Sequence, residues 1–306
     1  MTTGARDRPP TRKELLKNIQ GKDGILCMLS DKIDAEAMEA AGSELKVISS
    51  LSTGIDHIDL KEATKRGIYV TFTSHILTEA TADLTFALIL VLARNIIQGN
   101  ELVKQKRWKF GWMPNLLLGS DLEGMTLGIL GLGKIGAAVA RRAKGFNMKI
   151  IYHNRRTRNY KIETETEARY VDLNSLLRQS DFLSIHADLN ADSSHLINSS
   201  RFRMMKKTSY IINTSRGQII NEKHLIQALN RKMIAGAALD VFENEPVPHD
   251  NTLLTMKNVV TLPHIGSATN QTRSKMSQVA VRNLLNVFEA KEPIFLVNPE
   301  VRNQYT

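Results

Sequence analysis

Short apolar runs alternate with helical patterns along almost the whole 306-residue chain. These runs are apolar on both faces, which is typical of strands in parallel sheets covered by helices. The alternation therefore predicts an α/β protein, and the length predicts two domains. The predicted strands lie in "DGILCMLS", "LKVISSLS", "GIYVTFT", "MTLGILGLG", "MKIIYHN", "SDFLSIHA", "SYIINTS", "IAGAALDVF" and "NVVTLPHI".

The strands form two groups, and this grouping predicts the domain boundaries. The first group ends near residue 73, where "LTEATADLTFALILVLARNIIQGNELVKQKRW" predicts one long helix with Thr78 as its cap. A last helix, "TRSKMSQVAVRNLLNVFEA", is expected to return to the first domain. We therefore predict a first domain made of residues 1–76 and 270–306 and a second domain made of residues 77–269.

The charge balance favours a small anionic ligand. Lys and Arg exceed Asp and Glu by 41 to 31, a formal net charge of +10, but the bases are scattered and few aromatic residues interleave them. We therefore expect no nucleic-acid partner. No apolar run reaches 18 residues, so no membrane partner is expected either. The single cysteine, Cys27, suits a reducing compartment, and we expect a cytoplasmic protein without a metal site.

A glycine motif follows one of the predicted strands. Gly131, Gly133 and Gly136 form G-x-G-x-x-G between an apolar strand and an Ala-rich helix. The first glycine suits a tight turn, the second lets the backbone approach a pyrophosphate, and the third lets the helix pack closely on the strand. The helix N-terminus favours an anion. Together with the intervening Lys134 and Ile135, these residues are predicted to bind a dinucleotide.

The next predicted strand ends in "YHNRRTRN", residues 152–159. A preference for NAD would place an acidic residue at the position of Asn154, because a carboxylate accepts hydrogen bonds from the ribose hydroxyls. Basic residues follow instead, and guanidinium groups bind a 2′-phosphate. We therefore predict NADP as cofactor, with NAD disfavoured, bound by Asn154, Arg155, Arg156 and Arg158. The alternative is a solvated basic loop.

Polar residues also close three later strand-like runs. Arg216 follows "YIINTS", and His264 follows "NVVTLP". Asp240 and Glu245 lie in "GAALDVFENEP". Because the carboxyl ends of the strands line the ligand crevice of a doubly wound sheet, these residues are candidates for one active site.

The chain resembles the D-isomer-specific 2-hydroxyacid dehydrogenases, and within them the glyoxylate and hydroxypyruvate reductases, from about residue 22 to the C-terminus. The resemblance rests on "SLSTGIDHIDL", "LTEATADLTFALIL", "GLGKIG", "NTSRGQIIN", "ALDVFENEP" and "LPHIGSAT". It implies two doubly wound parallel-sheet domains, a Rossmann cofactor domain inserted in a flavodoxin-like substrate domain. It also implies NADPH-dependent reduction of small 2-oxo acids, glyoxylate to glycolate and hydroxypyruvate to D-glycerate.

The resemblance further implies roles for individual residues. His264 would be the general acid, Glu245 would orient it and favour the imidazolium, and Arg216 would bind the 2-oxo acid. The other implied contacts are the carboxylate-binding backbone of Thr53 and Gly54, the cofactor contacts Thr214, Asp240 and Gly266, and the cleft residue Ser267. A homodimer is implied, in which Trp112 or Trp108 enters the neighbouring active site. Alternatively, both tryptophans only pack within the segment that forms the dimer contact and enter no active site.

Two segments depart from the family pattern. An apolar strand should precede the helix in "PTRKELLKNIQG", but "MTTGARDRPP" is polar and ends in a proline pair. We expect the absent first strand to leave a gap between two strands, with unpaired groups costing about 1–3 kcal/mol each if buried. The second departure is Asp188 in "HADLN", which either weakens NADP binding or points to solvent.

Two further functions remain open from the sequence. Some relatives of this family sense dinucleotides and bind peptide partners as corepressors, and such proteins can retain the Arg, Glu and His residues. An inactive, truncated family member is the other alternative, because of the absent first strand.

Overall fold

The structure, a computed structural model, describes residues 8–155 and 158–304. Arg156, a predicted cofactor contact, lies outside the described residues. The strands are β1 (Gly24–Cys27), β2 (Val47–Ser50), β3 (Tyr69–Thr71), β4 (Thr126–Leu130), β5 (Lys149–His153), β6 (Arg169–Tyr170), β7 (Phe182–Ile185), β8 (Tyr210–Asn213), β9 (Gly236–Leu239) and β10 (Val259–Thr261). The α-helices are α1 (Arg12–Ile19), α2 (Ala35–Ala41), α3 (Leu60–Lys65), α4 (Thr78–Ala93), α5 (Ile96–Lys104), α6 (Lys134–Gly145), α7 (Tyr160–Thr166), α8 (Leu173–Gln179), α9 (Ser199–Phe202), α10 (Glu222–Asn230) and α11 (Asn270–Phe288).

The chain divides into two compact units, and the first comprises Met1–Leu77 and Ala268–Thr306. Its parallel sheet has the order β1-β2-β3. Apolar residues of α1, α2 and α3 pack with Ile25, Ile48 and Val70 on one face of the sheet. On the other face, the Ser49 hydroxyl donates to the carbonyl of Ala280 in α11 at 2.8 Å. Helices therefore cover this sheet on both faces.

The expected gap in the first sheet is not present, so that prediction was wrong. Gly24 pairs with Val47 and Cys27 with Ser50, so β1 and β2 are in register over the full length of both strands. β2 pairs in turn with β3. Any further strand would therefore have to lie beside these three described strands rather than between two of them.

The second unit, Thr78–Ser267, contains a parallel seven-stranded sheet with the order β10-β9-β8-β7-β4-β5-β6. The chain runs from β4 outward to β5 and β6, then returns to β7 on the other side of β4. Helices α4 and α6 pack on one face and α8 to α10 on the other, around two apolar cores. This is the predicted doubly wound parallel arrangement. The two-residue strand β6 was not predicted.

The long helix predicted after residue 77 is two helices, so that prediction was wrong. α4 and α5 meet at an angle of 67°. Asn95 between them adopts a left-handed conformation with φ of 50°, and the freed carbonyl of Ala93 accepts from the Ser120 backbone at 2.8 Å. Among the described residues, no single helix is long and apolar enough to cross a membrane, whereas the bent pair α4–α5 has sufficient length and composition.

The third glycine of the motif brings α6 against the turn after β4. A Cβ atom on Gly136 would collide with the carbonyl oxygen of Gly131. Because main-chain atoms cannot rotate away as a flexible side chain does, any larger residue must displace the helix.

We therefore expect Gly136→Ala to lower the free energy of unfolding by about 1–3 kcal/mol, the usual cost of overpacking. Gly145→Ala, at the other end of the same helix, is the matched control, because a Cβ there meets no atom within 4 Å. Urea unfolding of both variants measures the difference. Equal stabilities would contradict the close approach at Gly136.

Candidate active site

The predicted site residues of the second unit follow the carboxyl ends of its strands. Gly131 follows β4, Asn154 follows β5, Asp240 follows β9 and His264 comes three residues after β10. All these strands are parallel, so their carboxyl ends meet at one edge of the sheet. The strand order reverses between β4 and β7, and ligands of open α/β sheets bind at such a switch point.

The glycine motif leaves open space in front of α6. Gly131 has a left-handed φ of 98°, and a Cβ there would approach the carbonyl of His186 to 2.7 Å. At Gly133, the N-cap of α6, a Cβ would meet no atom within 4 Å. The backbone is therefore tight at the first glycine and open at the second. The open position lies at a helix N-terminus, which favours an anionic group.

The basic segment after β5 is partly tied to the rest of the unit. The Asn154 side-chain oxygen accepts from the Leu132 backbone at 2.6 Å, so it fixes the glycine turn. Arg155 forms an ion pair with Asp192 at 2.5 Å. Arg158 forms two hydrogen bonds with Glu163 at 2.8 and 3.0 Å. Two of the arginines that were predicted to bind a 2′-phosphate therefore hold carboxylates in this structure.

Asp240 anchors the turn that carries His264. Asp240 is 1% exposed, and its carboxylate accepts from the backbone N–H groups of Ile265 and Gly266, both at 2.7 Å. The His264 N–H donates to the Asp240 carbonyl at 2.9 Å. Burial raises the pKa of the Asp240 carboxyl, against the lowering effect of the two N–H donors. A residue expected to contact the cofactor therefore also positions the histidine turn.

His264 and Glu245 form a direct pair. The Nδ1 atom of His264 lies 2.7 Å from Oε2 of Glu245, and the other carboxylate oxygen accepts from the Phe242 backbone at 3.0 Å. Burial acts to raise the pKa of Glu245. The hydrogen bond and charge of His264, the Phe242 N–H and the charge of Arg216 act to lower it, and together they outweigh burial. The net pKa of Glu245 lies below its ordinary value. His264 itself has a left-handed φ of 54°, a conformation rare outside turns and functional sites.

Arg216 is positioned by the residue that follows it. A Cβ on Gly217 would collide with the carbonyl group of Phe242, so only glycine permits this approach to the segment leading to Glu245. The Arg216 carbonyl accepts from the Asn213 side chain at 2.8 Å. The half-buried guanidinium is near enough to Glu245 to lower its pKa. The structure thus brings together the three predicted catalytic residues Arg216, Glu245 and His264.

Threonines of α4 support the same edge, and the sequence interpretation assigned them no role. The hydroxyl groups of Thr85 and Thr214 lie 2.8 Å apart, both buried. Thr81 donates to the Gly266 carbonyl at 3.2 Å. Their positions in "TEATADLT" are three to four residues apart, the spacing of one helix face, and this was the available signal.

The remaining predicted residues lie elsewhere in the described parts of the chain. Thr53 and Gly54 follow β2 in the first unit, where the Ser52 hydroxyl donates to the Gly54 carbonyl at 2.5 Å. Trp112 lies in the loop between α5 and β4 and is 85% exposed. Trp108 donates through Nε1 to the Gly111 carbonyl at 2.7 Å. Asp188 is exposed, and Ser267 is half-buried directly after Gly266.

Residues 86–266 match the model of the D-isomer specific 2-hydroxyacid dehydrogenase NAD-binding domain. A glyoxylate reductase of Thermofilum pendens is 48% identical over 298 residues, which cover 97% of this chain and 87% of that protein. The chain belongs to the D-isomer-specific 2-hydroxyacid dehydrogenase family. It is therefore an oxidoreductase with a Rossmann-type NAD(P)-binding domain, as the sequence predicted.

Two solved structures show the range of cofactors among its relatives. An NADPH-dependent glyoxylate/hydroxypyruvate reductase from Sinorhizobium meliloti, in complex with NADP and malonate, is 34% identical with a TM-score of 0.83. The alignment covers 91% of this chain and 84% of that one. A D-lactate dehydrogenase from Aquifex aeolicus, complexed with NAD and lactic acid, is 28% identical with a TM-score of 0.85, covering 92% and 89%.

The open space at Gly133 generates one prediction. We expect Gly133→Ala to change the stability of the cofactor-free protein by less than about 1 kcal/mol, since the new Cβ meets no protein atom. The same methyl group blocks the approach of a pyrophosphate, so the rise in melting temperature on adding NADPH should disappear. Gly145→Ala should retain that rise. A normal rise for Gly133→Ala would contradict the dinucleotide assignment of this turn.

The pairing of Glu245 predicts a pH dependence of stability. Its pKa is lower in the folded chain than in the unfolded chain, so its contribution is present above the ordinary carboxyl pKa and is lost as the pH falls through the folded value. The stability difference between wild type and Glu245→Gln should therefore shrink as the pH falls from about 5 to below about 4. A stability difference, measured by unfolding, that does not shrink down to about pH 4 would contradict the pairing of Glu245 with His264.

Proposed function

We propose that this protein reduces small 2-oxo acids with NADPH, converting glyoxylate to glycolate and hydroxypyruvate to D-glycerate. The observation that carries the proposal is the His264–Glu245 pair, at 2.7 Å, with Arg216 beside it. A proton donor and a carboxylate-binding cation at one sheet edge are what reduction of a 2-oxo acid requires. The names of the relatives support the same substrate class.

The residues of the second unit fit a nicotinamide dinucleotide. The open backbone at Gly133 and the α6 N-terminus, with Lys134, Ile135 and Gly136, would hold the pyrophosphate. Asp240 would accept from the carboxamide, because each of its oxygens receives one N–H and has a further lone pair. Thr214 and Gly266 would contact the same end of the cofactor. When bound, the reduced nicotinamide supplies a hydride.

Each polar group then has one role in the reduction. Arg216 binds the carboxylate and carbonyl oxygens of the substrate. His264 donates a proton to the carbonyl oxygen from its Nε2 atom, since Nδ1 faces Glu245. Glu245 stabilises the protonated imidazole and fixes its ring orientation. Ser267, which follows Gly266, would line the same cleft as His264.

The proposed preference for NADPH rests on the segment after β5. Asn154 occupies the place where an acidic residue would repel a 2′-phosphate, and its oxygen is directed to the Leu132 N–H. Arg155 and Arg158 supply exposed guanidinium groups, and Arg156 lies between them in the sequence. Relatives with NADP and with NAD both exist, so these side chains are the argument for NADP in this chain.

We further propose a homodimer in the cytoplasm. None of the nine residues of α5 is buried, and Ile96 and Val103 are among its exposed apolar side chains. The following loop exposes Trp108, Phe110, Trp112 and Leu118. An apolar surface of this kind marks an interface with another protein, and a second copy is the occupant implied by the family. Sedimentation at equilibrium should give twice the chain mass. The same measurement on Trp112→Ala tests whether Trp112 contributes to the dimer.

Initial rates of cofactor oxidation test the proposal directly. We expect turnover of glyoxylate and hydroxypyruvate with a kcat/KM at least about tenfold higher for NADPH than for NADH, a difference of about 1.4 kcal/mol. Arg155→Ala with Arg158→Ala should remove most of this preference while NADH turnover is retained. Binding of NADPH without turnover of either acid would contradict the proposed substrates. A preference for NADH would contradict the NADP assignment.

A further inference from the structure

The ion pair between Arg155 and Asp192 connects two segments on either side of the glycine turn. Arg155 lies after β5 and Asp192 after β7, and both strands are direct neighbours of β4. The Nη1 atom of Arg155 lies 2.5 Å from Oδ2 of Asp192. The pair therefore joins the two segments that flank the turn after β4, where the dinucleotide motif lies.

The segment after β7 holds the Asp192 carboxylate toward Arg155. The side-chain oxygen of Asn190 accepts from Arg155 at 2.7 Å, and also from the backbone N–H groups of Asp192 at 3.0 Å and Ser193 at 3.3 Å. The Ser193 hydroxyl donates to the Asp188 carbonyl at 2.6 Å. These local bonds form a compact turn, so the carboxylate and the amide oxygen are presented together to one guanidinium.

We propose that Asp192 is a specificity-determining residue, because it competes with the cofactor's 2′-phosphate for Arg155. The inference rests on the proposed function, which assigns Arg155 to that phosphate. A guanidinium bonded to Asn190 and Asp192 has to exchange the carboxylate, or share its donors, before it can bind the phosphate. NADH carries a hydroxyl at this position and makes no such demand on Arg155.

The solvent exposure of the Arg155–Asp192 pair limits its expected effect on NADPH affinity. The Arg155 side chain is 48% exposed and that of Asp192 is 70% exposed, and ion pairs this exposed are weak. A phosphate accepts two parallel hydrogen bonds from arginine and carries more charge than a carboxylate. NADPH therefore displaces Asp192, but its observed affinity is lowered by the interaction that it replaces.

The test measures dissociation constants of NADPH and NADH by nicotinamide fluorescence on the purified full chain. Asp192→Asn should tighten NADPH binding about threefold, an effect in the range expected for an exposed ion pair, and leave NADH binding unchanged. Glu167→Gln is the matched control, because Glu167 pairs with Lys144 at 2.7 Å with side-chain exposures of 78% and 49%. It removes the same charge from a similar pair and should change neither constant.

A double variant separates direct competition from a general change in charge. In an Arg155→Ala background, Asp192→Asn should no longer tighten NADPH binding. Equal gains with and without Arg155, or equal gains for NADPH and NADH, would overturn the proposal, as would unchanged or weaker NADPH binding by Asp192→Asn.

The binding readout also separates this proposal from the proposed function. It needs no substrate, so a failure to reduce glyoxylate would count against the reaction alone. A wild type without preference for NADPH over NADH would contradict the cofactor assignment in the proposed function, whereas the competition is tested by the change in NADPH affinity that Asp192→Asn causes.

Discussion

All strands of the second unit run in one direction, and the candidate site depends on this constraint. Parallel strands place their carboxyl ends at a single edge, so residues far apart in sequence become neighbours there. Arg216, Asp240 and His264 follow β8, β9 and β10, which are adjacent in the sheet. The glycine motif follows β4 on the other side of β7. The order of the strands thus sets the separation between the cofactor motif and the proposed proton donor.

Buried polar contacts then hold the edge in one conformation. The Asp240 carboxylate is almost fully buried and receives two backbone N–H groups of the turn that carries His264. A buried charge is costly unless it is hydrogen-bonded in this way, and a non-glycine residue with positive φ also costs free energy. The remainder of the sheet has to offset both costs. These buried contacts hold the His264 imidazole in one orientation beside Glu245.

Much of this arrangement could be predicted from local patterns. All nine apolar runs named above contain strands, and the glycine motif predicted the turn before α6, where the first and third glycines each have a steric reason. The bend at Asn95 could not be predicted, since it depends on packing of the loop around Ser120 against the end of α4. The same holds for β6, which has two residues, and for the Arg155–Asp192 pair, whose members are 37 residues apart. The gap expected in the first sheet was a wrong prediction, because the sequence does not show which strands are neighbours. Only the pairing of β1, β2 and β3 in the structure shows it.

His264 is the proposed proton donor, and single-turnover reduction tests this role most directly. Glyoxylate and NADPH should be mixed rapidly with wild type and with His264→Gln, and NADPH affinity measured separately. His264→Gln should reduce glyoxylate about 10²–10⁴-fold more slowly, the usual contribution of general acid catalysis, and should bind NADPH within about twofold of wild type. A His264→Gln rate within about threefold of wild type would contradict the assignment.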